Sequence, residues 1–148
     1  MSQNDPEKLK AKLLAFAKDF AFFQHMGVEL VDFGPKWATA RIALKPELRN
    51  ANGVMHGGVI ATLVDATITQ AMLMTDEYQQ VRETKGSMSN ADLRVRYLRP
   101  VVDGYAQCEA KIVHLGKRVG HASAVVTNAD GKEVALGDSI LMITLGGK

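Results

Sequence analysis

Apolar positions crowd most densely between Val59 and Met74, directly after a loop rich in Asn and Gly that runs from Asn50 to Gly58. Val59, Ile60, Leu63, Val64, Ile68 and Met72 together cover more than one helical face. A helix apolar nearly all round is a buried helix. The segment from Val59 to Thr75 contains no Gly or Pro, but it carries a carboxylate and several Thr, and it is short for a membrane span. It therefore predicts the core helix of a soluble protein. Upstream, Leu9, Leu13, Phe16, Ala17, Phe20 and Phe23 recur at helical spacing. They predict a packing helix over 6–25, capped by Asp5 with Pro6 in its first turn, after a loose polar start over 1–5. His25 falls near the end of that helix, where a cation is favourable.

Between and beyond the helices the period changes. Gly27 to Phe33 reads as a strand, Gly34-Pro35-Lys36 as a turn, and Trp37 to Leu44 as a returning strand. Pro46 opens the loop into the central stretch, and Asp76 to Lys85 reads as a polar connection. Asp92 to Leu98 alternates polar and apolar, as a half-buried strand does, and Pro100 ends it. Tyr105–Leu115 and Arg118–Asn128 follow as strands joined near Gly116-Lys117. Asp130-Gly131 makes a tight hairpin into a last strand from Glu133 to Leu145. This order predicts one α+β domain over 1–148, with a single antiparallel sheet around one helix. Such a sheet leaves its edges open. Pairing two sheets edge to edge with antiparallel helices would cover them.

Composition narrows the function classes. The 148 residues carry 18 Lys and Arg against 16 Asp and Glu, a net charge of +2. A general nucleic-acid binder has a clustered basic excess, so no nucleic-acid partner is expected. The single Cys108 excludes an intramolecular disulfide and a cysteine-rich zinc site, and its place in a strand reads as packing. His114 and His121 lie on strands without metal-ligand spacing, so no metal is expected. No basic segment followed by an apolar signal core opens the chain, which predicts the cytoplasm, with no membrane association.

One residue in the central helix needs a reason beyond packing. Asp65 is a carboxylate in an apolar surround, costly unless paired, hydrogen-bonded or open to a cleft. Either a backbone N–H, an Arg or a Thr hydroxyl satisfies it, or it lines a site. The start of the same helix, His56-Gly57-Gly58, offers free N–H groups and the positive end of the helix dipole. Glycines there admit close approach of a ligand, and such a terminus stabilises an anion or an oxyanion. Asp65 lies about two turns, or ~10 Å, beyond Gly58. If both groups act on one carbonyl, they come from two copies of the chain.

Asn50, Gly53, His56-Gly57-Gly58 and Asp65 resemble the signature of hotdog-fold acyl-CoA thioesterases of the phenylacetate (PaaI-like) type, over roughly Gly27 to Gly146. The resemblance implies a long helix wrapped by an antiparallel sheet, with two sheets paired in a homodimer that pairs again into a homotetramer. It puts the oxyanion-stabilising glycine at Gly57, the catalytic carboxylate at Asp65 and an active-site Asn at Asn50. Gly58 falls beside the substrate. His56 is kept at the site, although its place at the helix start fits a structural cap. Asn52 is left to turn chemistry. Asn90 departs from the family, where Ser or Thr is common; its amide can orient water but does not reproduce a hydroxyl. Lys117 and Arg118 are either a solvated hairpin tip or a cationic edge for the phosphates of coenzyme A.

The expected activity is hydrolysis of an acyl-CoA thioester to free acid and coenzyme A, with no cofactor besides the coenzyme A of the substrate. The rivals are an acyl-thioester hydratase or dehydratase on the same fold, and a non-catalytic acyl-CoA-binding module. The first lacks its Asp/His pattern here; the second has no need of Asp65.

Overall fold

The central helix is the piece around which the sheet closes. The computed structural model describes residues 5–147. In chain order the elements are α1 (Pro6–Asp19), α2 (Ala21–Met26), β1 (Val28–Gly34), β2 (Trp37–Ala43), α3 (Gly57–Met72), α4 (Asp76–Glu83), β3 (Ser87–Tyr97), β4 (Tyr105–Leu115), β5 (Val119–Asn128) and β6 (Glu133–Thr144). The strands form one antiparallel sheet in the order β1-β2-β4-β5-β6-β3. It wraps α3, with α1 lying across β1. This is the hotdog arrangement, with the additional N-terminal helix.

Leu63, Val64, Ile68 and Met72 of α3 have no exposed surface. Burial of each such side chain is worth about 1.5–3 kcal/mol, so this face is what holds helix to sheet. The close approach depends on Gly137 of β6, where a Cβ would lie 2.6 Å from Val64 Cγ1. Any larger residue there forces the Val64 side chain, or α3 with it, to move.

Three expectations need correction. Helix α3 is not covered all round: Gly58 and Asp65 are exposed and Thr62 and Thr69 half-buried, forming one open stripe. The N-terminal helix is broken at Phe20, whose ψ of 115° is extended. The break lets Phe23 turn inward against Ala17 and Ala66. The connection from Asp76 is the helix α4, capped by Thr75, whose hydroxyl accepts from the Tyr78 N–H at 3.1 Å. The long helix stops at Met72, three residues before that cap. The loose polar start lies outside the described residues except for Asp5, which accepts from the Glu7 N–H and caps α1.

No single helix among the described residues is long and apolar enough to cross a membrane. Helices α3 and α4 would suffice together, but they are bent by 83°.

Strand β3 forms one edge of the sheet, with β6 as its sole neighbour. A bulge between Asn90 and Asp92 leaves Ala91 unpaired against β6. Asn90 pairs with the buried Leu141, Leu93 with the buried Ser139 and Tyr97 with the buried Ala135. Asn90 and Tyr97, of opposite parity, therefore share the helix-facing side.

Candidate active site

The loop before α3 is built on Asn50. Its N–H donates to the Val54 carbonyl at 2.8 Å, and its side-chain Oδ1 accepts from the Asn52 N–H at 2.9 Å and the Val54 N–H at 3.3 Å. Gly53 closes the turn at φ +79°, a conformation that favours glycine. Turn chemistry thus belongs to the Asn50 side chain, with Asn52 contributing only its backbone N–H. The Asn50 Nδ2 donates no hydrogen bond among the described residues.

The loop delivers His56 as N-cap of α3. The His56 Nδ1 accepts from the Gly58 N–H at 2.8 Å, so in the neutral ring the proton sits on Nε2. The Val59 and Ile60 N–H groups both turn to the His56 carbonyl, at 2.9 and 3.4 Å. Of the four N–H groups that a helix start leaves unpaired, only that of Gly57 has no partner among the described residues. It lies at a cavity of about 360 Å³ lined by Asn50, Met55, Gly57, Ile60, Tyr97 and Leu98, among others.

Tyr97 was not singled out from the sequence. Its hydroxyl donates to the Gly57 carbonyl at 2.9 Å, and its ring lies where a Cβ on Gly57 would come within 3.3 Å. The ring fixes the first turn of α3 from the β3 side. Only a chain lacking a side chain at 57 fits beneath it without displacing it.

Asp65 sits on the open stripe of α3, eight residues and about 12 Å along the axis from Gly57. Its partner is none of those the sequence suggested. The Thr62 and Thr69 hydroxyls are spent on the Gly58 and Asp65 carbonyls, each at 2.9 Å. The Asn90 Nδ2 donates instead to Asp65 Oδ1, and reaches the Asp65 carbonyl at 3.4 Å. The Ser139 hydroxyl, fully buried on β6, donates to Asn90 Oδ1 at 2.7 Å. Ser139 is a second residue missed from the sequence.

One chain therefore brings together Asn50, His56, Gly57 and Gly58 at one place, and Asp65 with Asn90 at another. Lys117 and Arg118 are exposed in the β4–β5 turn. The ladder Asn90–Leu141–Gly120 puts that turn at the Asp65 end of the sheet, two strands from β3 and away from Gly57. Among the described residues no group of three His, Cys, Asp or Glu side chains converges as a metal site.

The sequence pattern of the thioesterase superfamily matches residues 52–135, which span the Gly57 loop, α3 and the strands up to β6. The chain belongs to the thioesterase superfamily. It is 31% identical over 134 residues to human acyl-coenzyme A thioesterase 13, covering 88% of this chain and 91% of that one. A conserved protein of Pseudomonas aeruginosa superposes with a TM-score of 0.71 at 28% identity, covering 84% of this chain and 94% of that one. The PaaI protein of the E. coli phenylacetic acid degradation operon superposes with a TM-score of 0.79 over 97% of each chain; at 20% identity this likeness speaks for the fold. The enzyme class expected from the sequence, a thioester hydrolase of PaaI-like hotdog type, is the class these relationships give.

Proposed function

We propose that the protein hydrolyses acyl-coenzyme A thioesters at sites each shared by two copies of the chain. The observation that carries this is the division of the site on α3. One free N–H, that of Gly57, stands at the helix start, and a carboxylate held by Asn90 stands about 12 Å further on. One carbonyl does not reach both in the same chain.

The open β3 edge supplies a way to join them. Both halves of the site border β3: Tyr97 touches Gly57, and Asn90 touches Asp65. The helix-facing positions run Asn90, Leu93, Val95, Tyr97 at even spacing, because the bulge absorbs one residue. Antiparallel pairing of two β3 strands about a twofold axis at Arg94 sets Tyr97 opposite the partner's Asn90 and Leu93 opposite the partner's Val95. The same register sets Asp92 opposite the partner's Arg96 on each side of the axis, two attractive pairs that flank and offset the like charges of Arg94 and the partner's Arg94. Further pairing of dimers into a tetramer is supported by Val119, Ile140 and Met142, exposed on the outward side of β5 and β6.

In such a site the Gly57 N–H polarises the thioester carbonyl and takes the charge of the tetrahedral oxyanion, aided by the helix dipole. The Asn50 amide stands beside it at the same cavity. The partner's Asp65 offers the oxygen that Asn90 leaves free. That oxygen either takes the proton of an attacking water and passes it to the thiolate, or attacks the carbonyl carbon to give an anhydride that water opens. Both routes release coenzyme A and the free acid. Lys117 and Arg118, at the end of the sheet that carries Asp65, suit the phosphates of coenzyme A.

The test is thiol release from a panel of aryl- and alkyl-acyl-CoAs, with crotonyl-CoA hydration measured in parallel, on the wild type and Asp65→Asn. Wild type should release thiol without hydrating crotonyl-CoA. The variant should melt like wild type and turn over at least about a hundredfold more slowly. Wild-type turnover in a folded Asp65→Asn protein removes Asp65 from the chemistry.

A further inference from the structure

The helix-facing positions of β6 are Ala135, Gly137, Ser139, Leu141 and Ile143, all buried. Ser139 is the one polar member of that row, and packing alone gives no reason for its hydroxyl. A lone buried hydroxyl on a strand commonly settles on a nearby backbone carbonyl, and here the Ile140 carbonyl is available at 3.3 Å. The hydroxyl lies instead 2.7 Å from Asn90 Oδ1, which marks the side-chain amide as its partner.

The direction of this chain of bonds is fixed by chemistry. An ionised carboxylate accepts and never donates, so the edge of the amide facing Asp65 is its NH₂. The edge facing Ser139 is then the carbonyl oxygen, which requires the hydroxyl proton to point at Asn90. Each group has one role, and the amide has no second orientation that satisfies both neighbours. Without the Ser139 proton, Asn90 Oδ1 is left against an apolar row, and the amide turns or withdraws to find a donor.

We propose that Ser139 is a positioning residue for the Asp65 carboxylate, acting through the Asn90 side-chain amide. The relay occupies Oδ1 of Asp65 and leaves Oδ2 as its reacting oxygen. It sets the rotation of the carboxylate on an otherwise open stripe of α3, where the Thr side chains beside it are engaged elsewhere. The proposal rests on the reading of Asp65 as the reacting carboxylate.

A double-mutant cycle tests it, with kcat and KM for one acyl-CoA measured on Ser139→Ala, Asn90→Ala and the double variant, beside melting curves. A reacting group misplaced by about 1 Å can cost about a hundredfold, so Ser139→Ala should lower kcat by about ten- to a hundredfold with KM within about twofold. In the Asn90→Ala background the same change should alter kcat less than about twofold, because Ser139 has nothing left to hold. Ser139→Cys keeps a side chain of similar shape with a weak donor, and should fall between wild type and Ser139→Ala; it carries the cycle if Ser139→Ala does not fold. Equal losses with and without Asn90, or wild-type kcat in both Ser139 variants, overturn the proposal. Asp65→Asn separates the two levels. If it is dead while Ser139 and Asn90 act independently, only this proposal fails. If it turns over like wild type, the reading of the site fails and takes the relay with it.

Discussion

Replacing Gly57 with Pro removes the N–H hydrogen and puts the ring's Cδ in its place. Position 57 is the first residue of α3, where proline is well tolerated because the N–H has no helical partner. His56 has ψ of 136°, the extended conformation that a following proline requires. The Gly57 N–H makes no hydrogen bond among the described residues, so none is lost. Chain stiffening should add about 0.4–1 kcal/mol, and crowding of the Tyr97 ring, 3.3 Å from the new Cβ, should remove a similar amount. The melting temperature should therefore move by only a few degrees. Loss of a single oxyanion donor costs about 2.7–4 kcal/mol, or 10²–10³ in kcat. Gly57→Ala is the companion variant: it meets the same ring but keeps the N–H, and should lose less than about tenfold. Thiol release under saturating acyl-CoA reads both. A folded Gly57→Pro protein within about threefold of wild type would refute the oxyanion role, and equal losses in Ala and Pro would assign the effect to crowding.

Three further outcomes are expected. Mixing Asp65→Ala with Gly57→Pro after subunit exchange should restore about a quarter of wild-type activity, since half of randomly paired dimers are mixed and each holds one intact site of two; exchange proved by mass spectrometry with no recovery would sink the shared site. Replacing Lys117 and Arg118 by Ala should raise KM for acyl-CoA and flatten its salt dependence with kcat nearly kept, and equal damage toward short thioesters lacking the nucleotide would remove the phosphate role. Burial pushes the Cys108 thiol up to about 12, against the donor effect of Thr67, so at pH 8 a disulfide reagent should find about one thiolate in ten thousand and label the chain only on unfolding. A thiol more acidic when unfolded favours the folded state below pH 9.0, and this contribution should fade as pH climbs toward 12.

The central helix and most strand positions were legible because both follow from hydrophobic period, which burial enforces; β3 begins at Ser87, five residues before the alternating run from Asp92, because the bulge at Ala91 breaks the alternation. Asp65 and Gly57 were legible because each breaks a local rule, a charge among apolar residues and paired glycines at a helix start. What the sequence hid was of other kinds. Helix α4 has little apolar face, with Val81 its one buried residue, so its signal lay in Thr75 followed by Asp76 and Glu77, a cap and an acidic first turn. Tyr97 and Ser139 look like ordinary strand residues. Their roles depend on which residue of another element they face, and only strand register gives that. For Asn50 and Asn52, identical side chains two residues apart, the turn acceptor is decided by loop geometry, which leaves the Asn50 amide nitrogen without a partner among the described residues. The contact of the Asn90 amide with the carboxylate itself was likewise not legible, because it depends on which helix residue β3 faces.

The unpaired Ala91 also bears on how this strand tolerates changes of length. Insertions and deletions inside a strand are normally purged, since each exchanges every inward side chain beyond it for an outward one. Here the strand already contains a spare residue. Removing Ala91 would restore an ordinary ladder and keep Asn90, Leu93, Val95 and Tyr97 all inward. Retaining Ala91 while straightening the strand would turn Asn90 out and set Ala91 opposite Leu141 in its place, so a backbone irregularity, with no change of sequence, is what puts an amide at the carboxylate. Relatives aligned across this point should differ in length by one residue without differing in architecture, and an alignment that forbids a gap there will compare side chains from opposite faces.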